Sequence, residues 1–235
     1  MDMRRKRGVE ALERGFELLD AFRGGGASLS LSELAGRTGL YKSTILRYFV
    51  SLERYGYLVR LESGRFALGG RLFELGSLYR QTFPLSEHVR PILERLAAQM
   101  KESASYWVKE DGHRVCLCRV ESPQGVREAM FREGARLALD RGPTSTLLQA
   151  FSGAKSRRFE EVRRDVAAVS LGLYRADIAG ISCPVFFPGG ALAGAVTLTG
   201  PRQRFAGRAL ARMKEAVRRA ADETTRALAG GTRAQ

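Results

Sequence analysis

The N-terminal part of the chain shows the spacing of short amphipathic helices. Apolar side chains recur every three to four residues at Val9, Leu12, Phe16, Leu19 and Phe22, a spacing typical of a helix with one buried face. Three glycines at 24–26 end this segment. Ser30 followed by Glu33 then has the pattern of a capping box, in which two residues satisfy free backbone N–H groups at a helix start. The pattern predicts two helices separated by a glycine-rich loop.

A third helix and a hairpin follow. After Thr38 and Gly39, the residues Ile45, Phe49 and Leu52 fall on one side of a helix predicted over about 41–54. Two short strands, 57–60 and 65–68, then flank a turn at 62–64. Helix, short helix, tight turn, helix and hairpin is the element order of a winged helix-turn-helix. We therefore predict such a domain over residues 1–69, with the helix-turn-helix motif at about 31–50.

The polar side of the third helix is the first candidate for function. Because Thr44, Arg47 and Ser51 are spaced i, i+3 and i+7, they lie on one face, away from the apolar residues. Lys42 and Ser43 lie in the first turn, where free backbone N–H groups favour phosphate. An arginine with short hydroxyl residues suits a helix in the major groove of DNA. Together with one arginine of the hairpin, the predicted DNA-binding residues are Lys42, Ser43, Thr44, Arg47, Ser51 and Arg65.

A polar helix face is more often only solvated, and that alternative applies to this helix too. The capping box, the turn, the apolar spacing and the hairpin agree with one another, and their agreement favours DNA binding. For the basic segment at residues 4–7, a disordered arm and a DNA-contacting arm are equal alternatives.

The second half of the chain alternates between helical and period-two patterns. A helix is predicted over 88–100, and strands at 106–109 and 115–120 flank a hairpin-type turn. A further helix begins at 144, strands follow at 181–187 and 191–199, and a helix at 205–228 closes the chain. Helices that bracket an antiparallel sheet make an α+β domain.

Composition and charge narrow the class of protein. The chain has 235 residues, 44% of them hydrophobic, and a formal net charge of +14. The positive excess favours a polyanionic partner, although more of it lies after residue 80 than before. Three cysteines and two histidines are too few for a disulfide scaffold or a metal site. We find no catalytic motif and no run long enough to span a membrane, so we expect a cytoplasmic protein without metal, cofactor or catalytic residues.

The motifs of the N-terminal part resemble a known family. These motifs are Leu31-Ser32-Glu33-Leu34-Ala35, Thr38-Gly39-Leu40, Lys42-Ser43-Thr44 with Arg47, Leu52-Glu53, Gly56-Tyr57 and Phe66-Ala67-Leu68-Gly69. They are similar to the DNA-binding domain of IclR-type bacterial transcription regulators. Two positions depart from the family pattern: Tyr41 stands where the turn usually has proline, and Phe66 where the wing usually has tyrosine.

The resemblance extends to the second half. It is carried by 106–108, 115–117, 133–137, 139–142, 177–181, 184–186 and 197–201, which resemble the ligand-sensing domain of that family, related in fold to GAF sensors. It implies a linker helix at 70–82 and an effector-binding and oligomerisation domain at 83–235. For the apolar residues of this helix, from Leu72 to Tyr79, simple core packing and pairing with a second subunit are equal alternatives. It also implies a double-stranded DNA operator, a homodimer or tetramer, and an organic or aromatic acid as effector. Pro143 and Ser145 depart from the family pattern.

Strand alternation gives a candidate effector pocket. Thr197 and Thr199 lie on one face of a predicted strand, and Cys183 lies on the strand before it. The resemblance implies that these three positions contact the ligand, with Leu139 and Asp177 as neighbours. The alternative is that Cys183 is an ordinary buried residue and that the two threonines face solvent. Cys116 and Cys118 are expected to share one strand face in the core.

Two functional hypotheses follow. The first is a regulator that binds specific DNA and responds to a small-molecule effector. The second is a sensor-type interaction module, or an enzyme, that acts without DNA.

Overall fold

The computed structural model describes residues 8–23, 26–82, 85–122 and 131–231, so the basic segment 4–7 lies outside the described residues. The chain divides into two compact units, Met1–Thr82 and Phe83–Gln235. Within the described residues no helix is both long and apolar enough to cross a membrane.

The N-terminal unit has the predicted element order of a winged helix-turn-helix. It contains α1 (Glu10–Asp20), α2 (Leu31–Thr38), α3 (Lys42–Arg54), β1 (Leu58–Arg60), β2 (Phe66–Leu68) and α4 (Gly70–Thr82). Strands β1 and β2 pair antiparallel. The apolar residues at helical spacing meet in one core, formed by Leu18, Phe22, Leu29, Leu34, Ile45, Phe49, Leu58 and Phe66.

The start and the end of α2 follow directly from the sequence. The Ser30 hydroxyl accepts a hydrogen bond from the backbone N–H of Glu33 at 3.2 Å, and the Glu33 carboxylate accepts one from the N–H of Ser30 at 2.7 Å. The predicted capping box is therefore present. The helix ends at Gly39, whose φ of +70° lies in the left-handed region where glycine has no steric cost.

The apolar stripe of α1 is only partly buried. Leu18 and Phe22 enter the core, whereas Val9, Leu12 and Phe16 are 67%, 56% and 57% exposed. The first two turns of α1 therefore present large apolar side chains on the surface of this unit.

The C-terminal unit is built on one antiparallel sheet flanked by helices. Its elements are α5 (Leu85–Met100), β3 (Ser103–Glu110), β4 (His113–Val120), β5 (Arg136–Ala138), α6 (Pro143–Phe151), α7 (Arg157–Asp165), β6 (Ala168–Leu171), β7 (Ile178–Phe186), β8 (Leu192–Pro201), a 3₁₀ turn (Arg202–Arg204) and α8 (Gly207–Gly231). The strand order is β5-β4-β3-β8-β7-β6. Helices α5 and α8 pack on one face and α6 on the other. The predicted α+β architecture is confirmed.

One irregularity changes which side chains of β4 face α6. Tyr106 pairs with Cys118, but its neighbour Trp107 pairs with Cys116, so Leu117 is an extra residue in β4. Such a β-bulge reverses the alternation of faces beyond it. Cys116 packs beside Trp107 on one face, and Cys118 enters the core under α5 and α8 on the other. The prediction that the two cysteines share a face is wrong for this reason.

Candidate nucleic-acid interface and ligand cavity

Helix α3 exposes most of the predicted DNA-binding residues. Ile45 and Phe49 anchor the helix in the core, and Lys42, Ser43, Arg47 and Ser51 are exposed on its outer side, with Thr44 half-buried. Tyr41, the residue before the helix, caps it without a side-chain hydrogen bond. The first turn of α3 therefore keeps N–H groups that can donate to an anionic oxygen.

The exposed side of α3 also carries apolar residues that the sequence interpretation did not consider. Tyr41, Leu46 and Val50 are 84%, 41% and 57% exposed. Leu46 and Val50 stand one position away from the buried residues Ile45 and Phe49, so the helical spacing already excluded them from the core. Apolar side chains on a helix in the major groove can contact thymine methyl groups.

Arg65 is held inside the N-terminal unit rather than presented alone on the hairpin. Its Nε donates to the Ser28 hydroxyl at 3.0 Å, and its Nη2 donates to the Ser28 carbonyl at 2.8 Å and to the Glu33 carboxylate at 2.9 Å. These bonds tie the hairpin to the start of α2. On β1, Arg60 pairs with Phe66 and lies over its ring, with the guanidinium carbon 5.7 Å from the ring centroid.

A small cavity lies between the sheet and α6 in the C-terminal unit. Its volume is about 20 Å³, which is room for one or two waters. One side is aromatic, formed by Trp107, Phe131 and Tyr174, and the other carries hydroxyl groups of β3, β8 and α6. The Trp107 indole N–H donates to the Ser105 hydroxyl at 2.8 Å.

Three buried hydroxyl groups form a closed network beside this cavity. The Thr144 hydroxyl lies 3.0 Å from that of Thr197 and 3.2 Å from that of Ser182, and the Ser182 and Thr197 hydroxyls are 2.8 Å apart. Thr144 belongs to α6 and the other two to β8 and β7, so the network joins the helix to the sheet. A buried hydroxyl needs such partners because leaving it unpaired costs free energy.

Two of the five predicted effector residues line the cavity. Thr197 and Thr199 do, and the hydroxyl oxygen of Thr199 is buried without a hydrogen-bond partner among the described residues. Leu139 instead packs with the apolar residues of α6. Asp177 is on the surface, where its carboxylate accepts hydrogen bonds from Arg175 at 3.2 and 2.8 Å and where this interaction lowers its pKa.

Cys183 lies on the other side of the sheet. It pairs with Val196, whereas its neighbour Ser182 pairs with Thr197. Opposed residues share a face, so Ser182 accompanies Thr197 and Cys183 enters the core under α5 and α8. Burial raises the pKa of the Cys183 thiol to about 12.

Of the two residues at the unusual positions 143 and 145, Pro143 lines the cavity and Ser145 does not. Pro143 is the first residue of the helix, where proline lacks only an N–H that would be free anyway. A Cβ added to Gly180 would lie 3.0 Å from the Pro143 ring, so the glycine allows the proline to approach β7. Ser145 is fully buried.

Sequence interpretation did not single out the two arginines of the cavity, Arg114 and Arg119. Both are buried. Among the described residues, no cluster of histidine, cysteine, aspartate and glutamate side chains has the arrangement of a metal site.

The N-terminal unit has the fold of a winged helix-turn-helix, and the same chain continues into a sheet domain with a small, partly polar cavity. Two models of one family match the sequence: the IclR helix-turn-helix domain over residues 11–62 and the bacterial transcriptional regulator IclR C-terminal domain over residues 156–226. Together they cover just over half of the chain. The chain belongs to the IclR family of bacterial transcriptional regulators.

Individual relatives agree with this assignment. The chain is 31% identical to the HTH-type transcriptional regulator KipR of Bacillus subtilis over 43% of its own length and 40% of KipR. It is 29% identical to the transcriptional repressor IclR of Escherichia coli over 54% of its length and 50% of that protein. The chain thus spans half or less of the length of these two relatives.

The solved structures show the same fold over nearly the full length. An IclR homologue from Microbacterium hydrocarbonoxydans, solved in complex with 4-hydroxybenzoate, superimposes with a TM-score of 0.79. The match covers 93% of this chain and 98% of that one at 23% identity.

Proposed function

We propose that this protein is a sequence-specific DNA-binding regulator of transcription that reads its operator with α3. The observation that carries the proposal is the exposed side of α3, which presents Lys42, Ser43, Arg47 and Ser51 and begins without a side-chain cap. Lysine, hydroxyls and backbone N–H groups suit phosphate, and arginine suits the edge of guanine. Membership of the IclR family supports this role. Because the bacterial chromosome lies in the cytoplasm, we expect the protein to act there.

The hairpin has a different role in this proposal from the one the sequence indicates. Because Arg65 already binds Ser28 and Glu33, it orients the hairpin against α2. If Arg65 contacts a DNA phosphate, its guanidinium must bind the phosphate and the Glu33 carboxylate at the same time.

The DNA-binding proposal is tested by selecting operators from a random oligonucleotide library and measuring gel shifts. Arg47→Ala should lower affinity for the selected site by about tenfold to a hundredfold and reduce the preference over random DNA, since a bidentate base contact contributes about 1–3 kcal/mol. Arg212→Ala, an exposed residue of the C-terminal unit, removes the same charge and should leave the preference unchanged. Affinity for the selected site should also fall steeply between about 50 and 200 mM salt, as expected when phosphate contacts release counterions.

Two results would contradict this proposal. Selection that yields no preferred sequence would favour the alternative hypothesis of a module or enzyme that acts without DNA. An unchanged preference in Arg47→Ala would mean that α3 is not the reading helix.

We further propose that the cavity beside α6 is the effector site and that the effector is a small organic acid. Thr197 and Thr199 supply hydroxyl groups to this cavity, and one structural neighbour is a complex with 4-hydroxybenzoate. To change DNA binding, the effector must bind one arrangement of the protein better than another, since equal affinity for both shifts nothing. Linker helix α4 is the element proposed to transmit this difference to the spacing of two α3 helices.

A substitution in the cavity separates ligand binding from DNA binding. Thr197→Val keeps the shape of the side chain and removes its hydroxyl, so we expect weaker effector binding and unchanged DNA affinity without ligand. Calorimetric titration with 4-hydroxybenzoate and with shorter organic acids measures the first quantity, and gel shifts measure the second. An effector that binds Thr197→Val as tightly as the natural protein would place the effector site elsewhere.

The protein is also proposed to act as a homodimer. Val9, which immediately precedes α1, and Leu12 and Phe16 of α1 are exposed and form a stripe at helical spacing, and on α4 Phe73 is 76% exposed. Contiguous apolar surface of this kind marks an interface, and a second copy places two α3 helices on one duplex. A tetramer would need a further interface in the C-terminal unit.

A further inference from the structure

Helix α3 carries two neighbouring rows of exposed residues with different chemistry. Residues four positions apart follow one another along the surface of a helix. The first row has a cation at each end and two apolar residues between them: Lys42, Leu46, Val50 and Arg54. We call these four residues the mixed row. The second row has an arginine between two hydroxyl residues: Ser43, Arg47 and Ser51. The DNA-binding proposal uses the second row and the lysine of the first, and it leaves the two apolar residues without a role.

The two apolar residues of the mixed row are not part of the core. Ile45 and Phe49 fill the core of the N-terminal unit, and Leu46 and Val50 each stand one position later, which turns them by about 100° away from it. Val50 is three positions after Arg47 and four before Arg54, and residues at these spacings lie on one side of a helix. Val50 therefore lies on the outer face of α3, between two exposed arginines.

Neither folding nor helix propensity explains a valine at this position. Valine is branched at Cβ and forms helices less readily than alanine, leucine or lysine. With 57% of Val50 exposed, most of the side chain stays in water and the folded unit gains little from its apolar character. A single exposed apolar residue is common on protein surfaces, but here Leu46 and Val50 follow each other between two cations. This arrangement suits a partner that is apolar in the middle and anionic at both edges.

The major groove of DNA is such a partner wherever it contains thymine. Phosphates line both edges of a groove about 12 Å wide, and the C5-methyl group of thymine is the apolar group exposed on its floor. Lys42 and Arg54 are twelve positions apart, which corresponds to about 18 Å along the helix axis. With their long side chains directed to phosphates at the two edges, the middle of the mixed row lies over the base edges. The charge pattern of the row therefore matches the groove.

We propose that α3 selects thymine in its operator by placing Leu46 and Val50 against thymine C5-methyl groups, beside the base pair that Arg47 contacts. This inference rests on the proposed function, because it assigns a base to the same reading helix. The two rows then read different bases by different means. Arg47 addresses guanine through hydrogen bonds, and the two apolar residues address thymine through contact with its methyl group. Selectivity at the thymine positions depends on the methyl group alone.

Replacement of thymine by uracil tests the methyl contact directly. Uracil lacks only the C5-methyl group and keeps every hydrogen-bonding group of thymine. Each thymine of the operator selected from the random library is replaced singly by deoxyuridine, and the affinity of the full chain is measured by gel shift. At least one replacement should lower affinity by about threefold to tenfold, the effect of removing one buried methyl group. Replacements in the flanking DNA outside the selected site are the control and should have no effect.

Variants assign the methyl contact to the residues. At a sensitive position, Val50→Ala or Leu46→Ala should bind the thymine and uracil operators equally, because the side chain that recognises the methyl group is missing. Arg47→Ala should weaken binding of both operators and keep their affinity ratio. Val169→Ala changes an exposed valine of the C-terminal unit and should keep both affinities. Each ratio compares two DNAs on one protein sample, so a smaller fraction of folded protein cannot imitate its loss.

The possible results distinguish this inference from the proposed function. Equal affinity for thymine and uracil at every position of an operator whose preference depends on Arg47 would overturn thymine reading and leave α3 as the reading helix. A ratio that persists in both Val50→Ala and Leu46→Ala would also overturn it. If these variants kept the ratio and shifted a dimer toward monomer in sedimentation, the two apolar residues would belong to a contact between copies. A selection without any preferred sequence would contradict the proposed function and this inference together.

Discussion

The cysteines show how burial sets the chemistry of single side chains. All three thiols are free and buried, and burial raises the pKa to about 12 for Cys116, about 11 for Cys118 and about 12 for Cys183. The thiolate is the reactive form. These residues therefore behave as small apolar core residues, even though Cys183 is a predicted effector contact.

We expect the native protein to resist thiol reagents. Titration with a disulfide-exchange reagent at about pH 8 should show almost no reaction in buffer and three equivalents in denaturant, because the folded state holds the thiols protonated and covered. The measurement is the absorbance of the released aromatic thiol. One equivalent that reacts in native buffer within minutes would show that at least one thiol is accessible, and a Cys183→Ala variant would identify whether it is that one.

At the same scale, the arginines of the cavity explain what sequence could not predict. Strict alternation along β4 places Arg114 and Arg119 on opposite faces because they are five positions apart. The extra residue Leu117 reverses the phase and brings both to the cavity. No local pattern of hydrophobic and polar residues marks this bulge, so the ionic part of the candidate site became visible only with the structure.

Helix α2 shows the opposite case, in which an element follows from its sequence. Ser30 and Glu33 were sufficient to predict its start, and both hydrogen bonds of the capping box are present. The backbone and side-chain hydrogen bonds from Ser30, followed by the charge of Arg65, lower the pKa of Glu33 below its ordinary value of 4.5. The ionised carboxylate is therefore the form that the folded element prefers.

This preference predicts a pH dependence of the stability of the N-terminal unit. A carboxyl whose pKa is lower in the folded state stabilises it above the ordinary pKa, and this contribution is lost as the pH falls through the lowered value. Glu33→Gln should therefore destabilise the unit at neutral pH and have a smaller effect near pH 3. Ser30→Ala should cost about 1 kcal/mol through the loss of the cap. Both are measured by denaturant unfolding, with exposed Glu62→Gln as the matched control; equal effects of Glu33→Gln at the two pH values would contradict the assignment.

The strands of the C-terminal unit show what local sequence patterns can predict and what they cannot. Period-two alternation predicted that Thr197 and Thr199 share a face, and both line the cavity. The position of Cys183 relative to them depends on which residue of β7 pairs with Thr197, and that partner is Ser182. The register between two strands is set by the sheet as a whole. The separation of Cys183 and Thr197 along the chain therefore does not predict whether they share a face. The same holds for Arg65, whose partner Ser28 comes from before α2.

For the whole molecule, the distribution of charge and of apolar surface indicates separate roles. The net charge of +14 gives long-range attraction to DNA at either unit and little selectivity, because unspecific binding depends on the number of phosphates neutralised. In the proposed dimer, two α3 helices that reach half-sites about one helical turn apart would add selectivity for the full operator. The apolar surface of α1 is the feature that we propose holds two copies together.

We expect charge introduced into this surface to separate the copies. Leu12→Glu and Phe16→Glu place a carboxylate in the exposed stripe of α1, where burial against a second copy would leave it without a partner. Sedimentation equilibrium should show a dimer for the natural protein and a shift toward monomer for both variants. Ala11→Glu adds the same charge to an exposed position of α1 on the side away from Leu12 and Phe16 and should leave the dimer intact.

The DNA affinity of these variants shows whether dimerisation and recognition are linked. A monomer keeps Arg47 and the rest of α3, so it should still prefer an operator half-site to random DNA, but its affinity for the full operator should fall to that of a single half-site. Joining two copies raises affinity because the second half-site is then bound at high effective concentration. If Phe16→Glu became monomeric and kept full operator affinity, one copy would be sufficient for recognition. If it stayed dimeric, the interface would lie outside the α1 stripe, and the exposed Phe73 of α4 would be the next position to change.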